Sequence, residues 1–276
     1  MKSLLKTLSN VSALPVVQRV SPSANGLCDS ESLAGYLECQ RLAFDAVKEV
    51  SSMMREGWTE KQAADLVATY LRDFGVRDFF HYPFAWFGER TRFDKIRHYA
   101  QYSPTKRFLL PGEVYILDVA PVLDGFTCDI GYSACLGENA EFTKAQNFLQ
   151  SLRDIIPSLF SASRTGGSIW TEIDRLILKA GYENIHKKYP FAVLGHRIHR
   201  DVPRGPGLQL LNFGWQSYWA FLSRGLFGQL LNANHEGKLT GLWAIEPHIG
   251  TSGFGAKFEE ILVVEDKRAY WLERTH

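Results

Sequence analysis

The run Tyr115-Ile-Leu-Asp-Val-Ala-Pro-Val-Leu-Asp-Gly-Phe-Thr-Cys-Asp-Ile-Gly131 constrains this chain more than any other segment. A β-branched, apolar stretch ends on Asp118, a Leu-Asp-Gly-Phe turn follows, and Asp129 lies just beyond it. Two neighbouring strands joined by a tight turn bring both carboxylates to one place. Held close in a partly buried site, they repel each other and lose hydration. A positive group must compensate, and a divalent metal does so best. Asp124, at the Asp-Gly turn itself, reads as a structural turn residue.

Three later segments add donors of the same kind. They are His196 in Leu194-Gly-His-Arg-Ile-His199, Glu246 in Ala244-Ile-Glu-Pro-His248, and Glu259 in Ala256-Lys-Phe-Glu-Glu-Ile. Strand alternation sends Glu259 and Glu260 to opposite faces, and the Phe-Glu context favours Glu259. Asp118, Asp129, His196, Glu246 and Glu259, in that order, make a candidate two-metal site.

The rest of the chain bounds the setting. Its 276 residues are 45% hydrophobic and 22% charged with a formal charge of +1, an ordinary globular balance with no electrostatic case for nucleic acid or an anionic membrane as main partner. No stretch approaches the roughly 20 apolar residues that span a bilayer, and no signal peptide is read at the N-terminus. Cys28, Cys39, Cys128 and Cys135 show no C-x-x-C spacing, which favours free thiols and a cytoplasmic protein. Residues 1–29 read as an N-terminal arm. Helical periodicity begins at Ser30, breaks at Gly57, and resumes from Thr59 to Gly75. Helices are expected near 141–160 and 169–180, with strands at 79–87, around the aspartate hairpin, near Gly195-His196, at 242–248 and at 257–264. Blocks of helix and antiparallel strand suggest one α+β domain over 30–276.

The order and local contexts of these residues resemble the methionine aminopeptidase, aminopeptidase P and prolidase family, with its pita-bread fold of a curved antiparallel sheet flanked by helices. Ile116-Leu-Asp118 with Asp-Gly-Phe-x-x-Asp129 resembles the family's paired aspartates. Gly195-His196 resembles its ligand histidine, and Ile245-Glu246-Pro247 and Phe258-Glu259 its two glutamates. Arg97-His98-Tyr99 resembles the segment carrying a non-ligand histidine near the substrate. The resemblance implies two divalent ions (manganese, cobalt, iron or zinc): Asp118 chelates one, Asp129 and Glu259 bridge both, and His196 and Glu246 bind the second. It implies Glu246 as proton acceptor, His98 as a substrate or intermediate contact, and aminopeptidase-like cleavage of an amide bond near a free N-terminus.

Three departures bear on the substrate. Pro203 stands where the family usually has a second histidine seven positions after the ligand one, with His199 or His235 as substitutes. Arg197 follows His196, and Arg197, His199, Arg200 and Arg204 form a basic cluster able to take a carboxylate or phosphate. Asp129 is followed by Ile-Gly-Tyr-Ser where members commonly have a nearby Thr, so a supporting hydrogen bond is expected to be missing. An aromatic-rich insertion at about 205–240 reads as core, lid, apolar pocket or homodimer contact. Two alternatives stand beside the peptidase: an atypical metalloenzyme acting on a small acidic or apolar metabolite, and a binding module without catalysis.

Overall fold

The computed structural model describes residues 30–162, 164–200, 209–210, 213–214 and 226–273; the expected arm, Pro203, Arg204 and most of the aromatic insertion lie outside them. Helix α1 (Ser30–Met53) buries Tyr36, Cys39, Ala43, Val47 and Val50, a stripe at three- and four-residue spacing. Gln40, which interrupts that stripe, is buried with its amide used twice: Nε2 donates to Leu272 O at 2.7 Å and Oε1 accepts from Ile261 N at 2.8 Å. Helix α2 (Glu60–Asp73) starts at a capping box in which Thr59 and Gln62 satisfy each other's backbone N–H.

These two helices cover a sheet ordered β3 (Phe126–Thr127), β2 (Val114–Leu123), β1 (Asp78–Phe87), β8 (Phe213–Gly214), β7 (Gln209–Leu210), with β4 (Ile130–Cys135) also pairing β2. Leu123 pairs Phe126 around Asp124 (φ 50°) and Gly125 (φ 83°), the two left-handed residues a two-residue hairpin with right-twisted strands requires. Asp124 is thus a turn residue.

The second half repeats the plan. Helix α3 (Ala140–Ser161), capped by Asn139, and α4 (Gly166–Lys179), capped by Thr165, present buried Phe142, Leu149, Leu152, Ile156, Ile169, Ile173 and Ile177. They pack on a sheet ordered β14 (Ala269–Trp271), β13 (Glu260–Val264), β10 (Gly241–Ile245), β6 (Gly195–Ile198), β9 (Leu230–Leu231). Alternation along β10 divides the core: Leu242 and Ala244 join the cluster under α1 and α2, while Trp243 and Ile245 join that under α3 and α4. A third sheet, β12 (Gly255–Lys257), β11 (His248–Gly250), β5 (Glu183–Asn184), closes the gap between the halves. The strand expected across 257–264 is two strands, β12 and β13, with Phe258 and Glu259 between them. The break lets Glu259 turn inward while Glu260 makes a two-pronged pair with Arg153 at 2.8 Å.

Candidate metal centre

Each expected ligand sits where an element meets the gap between the sheets. Asp118 lies in β2, opposite Phe84 of β1 and Gly131 of β4, and Asp129 immediately precedes β4. His196 is on β6 and Glu246 follows β10. Glu259 is tied across to β4 by its N–H to Gly131 O at 3.0 Å. All five are buried, from 2% exposed for Glu259 to 8% for His196. His196 Nε2 lies 3.1 Å from Asp129 Oδ2 and 4.0 Å from Glu259 Oε1.

Two further side chains enter this cluster that the sequence argument did not single out. His81 Nε2 lies 3.0 Å from Asp129 Oδ1 and 3.3 Å from Asp118 Oδ1. Lys257 Nζ donates to Asp118 Oδ2 at 2.5 Å, Glu259 Oε2 at 2.7 Å and Glu246 Oε2 at 2.9 Å. Lys257 carried a readable signal, because residues i and i+2 of an extended segment share a face and it precedes Glu259 by two. His81 carried a weaker one. The β1–β2 register shifts on both sides of it, so simple alternation does not give its face.

The charges shift each other strongly. Burial opposes a charged His81, but the Asp129 charge and hydrogen bond, with Asp118, outweigh it and raise its pKa from 6.5 to about 9. His196 is likewise raised against burial, chiefly by Asp129. Burial also opposes an ionised Asp129, yet His81 and His196 hold its carboxyl well below the usual range. Burial, then Asp129 and Glu246, push Glu259 well up; burial raises Glu246 too, with Lys257 opposing. For Lys257 burial is again outweighed, here by Asp118, Glu246 and Glu259, and the ammonium is held.

Because the folded pKa of His81 is raised, its contribution to stability is complete below 6.5 and is lost as pH climbs through about 9. At ~1.36 kcal/mol per unit, the metal-free protein is expected to lose about 3 kcal/mol across that window. Urea denaturation of the wild type and of His81→Gln measures it. Equal pH slopes for the two proteins would remove the assignment.

The substrate residues expected from sequence are placed elsewhere. His98 is exposed at the start of a 3₁₀ turn over Tyr99–Tyr102, with its N–H on Gln101 Oε1, and no described hydrogen bond or ion pair joins it to the buried cluster. Its spacing from Asp118 matched, but the intervening chain leaves the sheet. Arg197 points to the opposite face of β6 from His196. Its Nη1 donates to Thr240 O at 2.7 Å and its Nη2 to Lys238 O, and the guanidinium covers Trp243 at 4.4 Å. Two of its five N–H donors go to these backbone carbonyls and its face lies on the indole, which holds it on the side of β6 away from His196. His199 is half-buried and meets Gln229 Oε1 at 2.5 Å. His235 bonds Leu230 O at 3.0 Å and packs edge-on against Trp243, and His248 bonds Tyr189 OH at 2.8 Å.

Carboxylate oxygens with imidazole nitrogens suit a hard or borderline divalent ion. His81, Asp118 and Asp129 offer ligand atoms within 4.8 Å of one another, and so do Asp129, His196 and Glu259. Beside them, Lys257 holds the other oxygen of Asp118 in the first group and the other oxygen of Glu259 in the second.

Comparison with known proteins agrees with this geometry. No curated protein sequence matches the chain. Among solved structures it is similar to an X-Pro aminopeptidase from Thermotoga maritima (TM-score 0.68, 17% identity, covering 90% of this chain and 62% of that one). It is similar also to a prolidase from Pyrococcus furiosus (TM-score 0.66, 15% identity, 90% and 65%) and a methionine aminopeptidase from Thermotoga maritima (0.58, 14%, 91% and 99%). The chain therefore spans less than two thirds of the first two structures and nearly all of the third. These likenesses establish the α+β pita-bread fold. A sequence model of metallopeptidase family M24 matches residues 34–266, which include every strand that carries the cluster, and the chain belongs to that family.

Proposed function

We propose that this chain is a metal-dependent hydrolase with aminopeptidase-like action, cutting an amide bond near a free N-terminus. One observation carries the reading: Asp129, His196 and Glu259 converge in a buried cluster with Glu246 beside them. A divalent ion held there supplies an acidified water and polarises a carbonyl. Asp129 and Glu259 bring the negative charge that attracts the ion, and His196 brings a neutral donor. Glu246 is the proton acceptor, because its carboxylate adjoins the ion's ligands through their shared partner Lys257. Phe80, stacked 5.6 Å from His196, and Phe84, 5.0 Å from His81, give the cluster an apolar border.

Protein loaded in turn with manganese, cobalt, iron or zinc is to be offered Met-peptides, Xaa-Pro peptides and dipeptides. Turnover that falls about 10²–10⁴-fold in Glu246→Gln, in samples whose ion content is measured alongside, is the expected result. Bound metal with no turnover of any of these substrates would favour the small-metabolite reading. A protein that takes up no ion would be a binding module whose carboxylates are neutralised from within. No described helix is long and apolar enough to cross a membrane. Unbridged Cys39 and Cys128, 3.5 Å apart in the core, support a cytoplasmic setting.

A further inference from the structure

We propose that this chain binds one divalent ion rather than two, because the ammonium of Lys257 takes the place of the other. The inference rests on the metallohydrolase reading for its ligand set and replaces the dinuclear centre that the family resemblance implies.

The first ion of such a pair would need both oxygens of Asp118 and one each from Asp129 and Glu259. In this chain an ammonium holds two of those four oxygens. The other two, Asp118 Oδ1 and Asp129 Oδ1, lie 3.3 and 3.0 Å from His81 Nε2, an imidazole that can itself be a ligand. Asp118 Oδ2 and Glu259 Oε2 face Lys257 Nζ, at 2.5 and 2.7 Å. An ammonium has three protons, and Glu246 Oε2 at 2.9 Å takes the third, so Lys257 is fully satisfied by carboxylates. Asp129 Oδ2, Glu259 Oε1 and His196 Nε2, none of them held by Lys257, form a set that could take a single ion.

The lysine is built in rather than swung in. It is 3% exposed, and Ser133 Oγ clamps its backbone, accepting from Lys257 N at 2.8 Å and donating to Lys257 O at 2.7 Å. Its stem passes over Gly131, where an added Cβ would overlap Lys257 Cε. Gly131, in the Ile-Gly-Tyr-Ser run after Asp129, is therefore the space through which the ammonium reaches the carboxylates. A divalent cation at the first position would stand against this charge with no water between them to screen it.

Metal content after saturation with manganese and gel filtration, with the electron paramagnetic resonance spectrum of the same sample, decides the matter. The wild type is expected to hold about one ion per chain with the spectrum of an isolated ion, where a two-metal site holds about two, coupled. Lys257→Gln is expected to raise the content to two, the new ion falling among His81, Asp118 and Asp129. Gly131→Ala, which keeps the lysine but fills its path, should do the same if Lys257→Gln does not fold. Two coupled ions in the wild type, or one ion in a folded Lys257→Gln, would overturn the proposal; so would no ion, which would sink the hydrolase reading as well. One ion without peptide turnover leaves this inference standing and removes only the peptidase reading.

Discussion

Asp129→Asn is expected to abolish metal uptake and, with it, hydrolysis. Asp129 is the one carboxylate in both candidate ligand groups, and each of its oxygens faces an imidazole: Oδ1 His81 at 3.0 Å, Oδ2 His196 at 3.1 Å. The amide keeps the shape but removes the charge and turns one acceptor into a donor aimed at a histidine. The loss in ion affinity should exceed the ~10–100-fold that even a residue supporting a ligand typically costs. Thermal shift gives a readout independent of substrate. An ion at 100 times its Kd stabilises the folded wild type by about 2.7 kcal/mol, and Asp129→Asn should gain almost nothing at the same concentration. The metal-free variant should also lose the stability that His81 and His196 draw from the carboxylate. A metal-induced rise in Tm equal to that of the wild type would place the ion elsewhere.

What the sequence disclosed was what local chemistry determines. The Asp-Gly hairpin, the helix opening at Thr59 and the periodic stripes of α1 and α2 each depend on a few consecutive residues, and all are found in the structure. The five expected ligands converge, since each lies on or beside a strand whose place the fold dictates. The errors arose where distant chain decides orientation. His98 had suitable spacing but lies on a solvent-facing turn. Arg197 was grouped with His196 by adjacency, although adjacent strand residues face opposite ways and the next strand put Trp243 beneath it. Lys257 was not singled out; only the three carboxylates gathered from separate elements make its burial tolerable. The same observation weakens an argument that looked secure from sequence, that an intact ligand set compels metal binding. An internal ammonium meets part of that demand, and the count of ions becomes the informative measurement.

The largest loss of stability outside the centre is expected from Glu60→Ala. Glu60 is fully buried in the first turn of α2, where the helix N-terminus favours an acidic side chain. Oε1 accepts from Phe87 N at 3.0 Å and Arg90 Nε at 2.8 Å, and Oε2 accepts from Thr105 N at 2.9 Å and Thr105 Oγ1 at 2.6 Å. One carboxylate thus joins a helix, the end of β1 and the loop leading to β2. Alanine would strand two backbone N–H groups and a guanidinium whose side chain is 22% exposed. Breaking such a pair costs about 3–5 kcal/mol, because the partner left behind is desolvated and unmatched. Glu60→Gln fills the same space but offers an amide to four donors, and should fall between alanine and wild type. Both variants, if folded, should retain the wild-type ion content, because none of the groups on Glu60 touches the cluster. Urea denaturation at neutral pH reads the loss. A change below about 1 kcal/mol for the alanine variant, the net worth of an ordinary hydrogen bond, would show that solvent or neighbouring side chains replace the carboxylate.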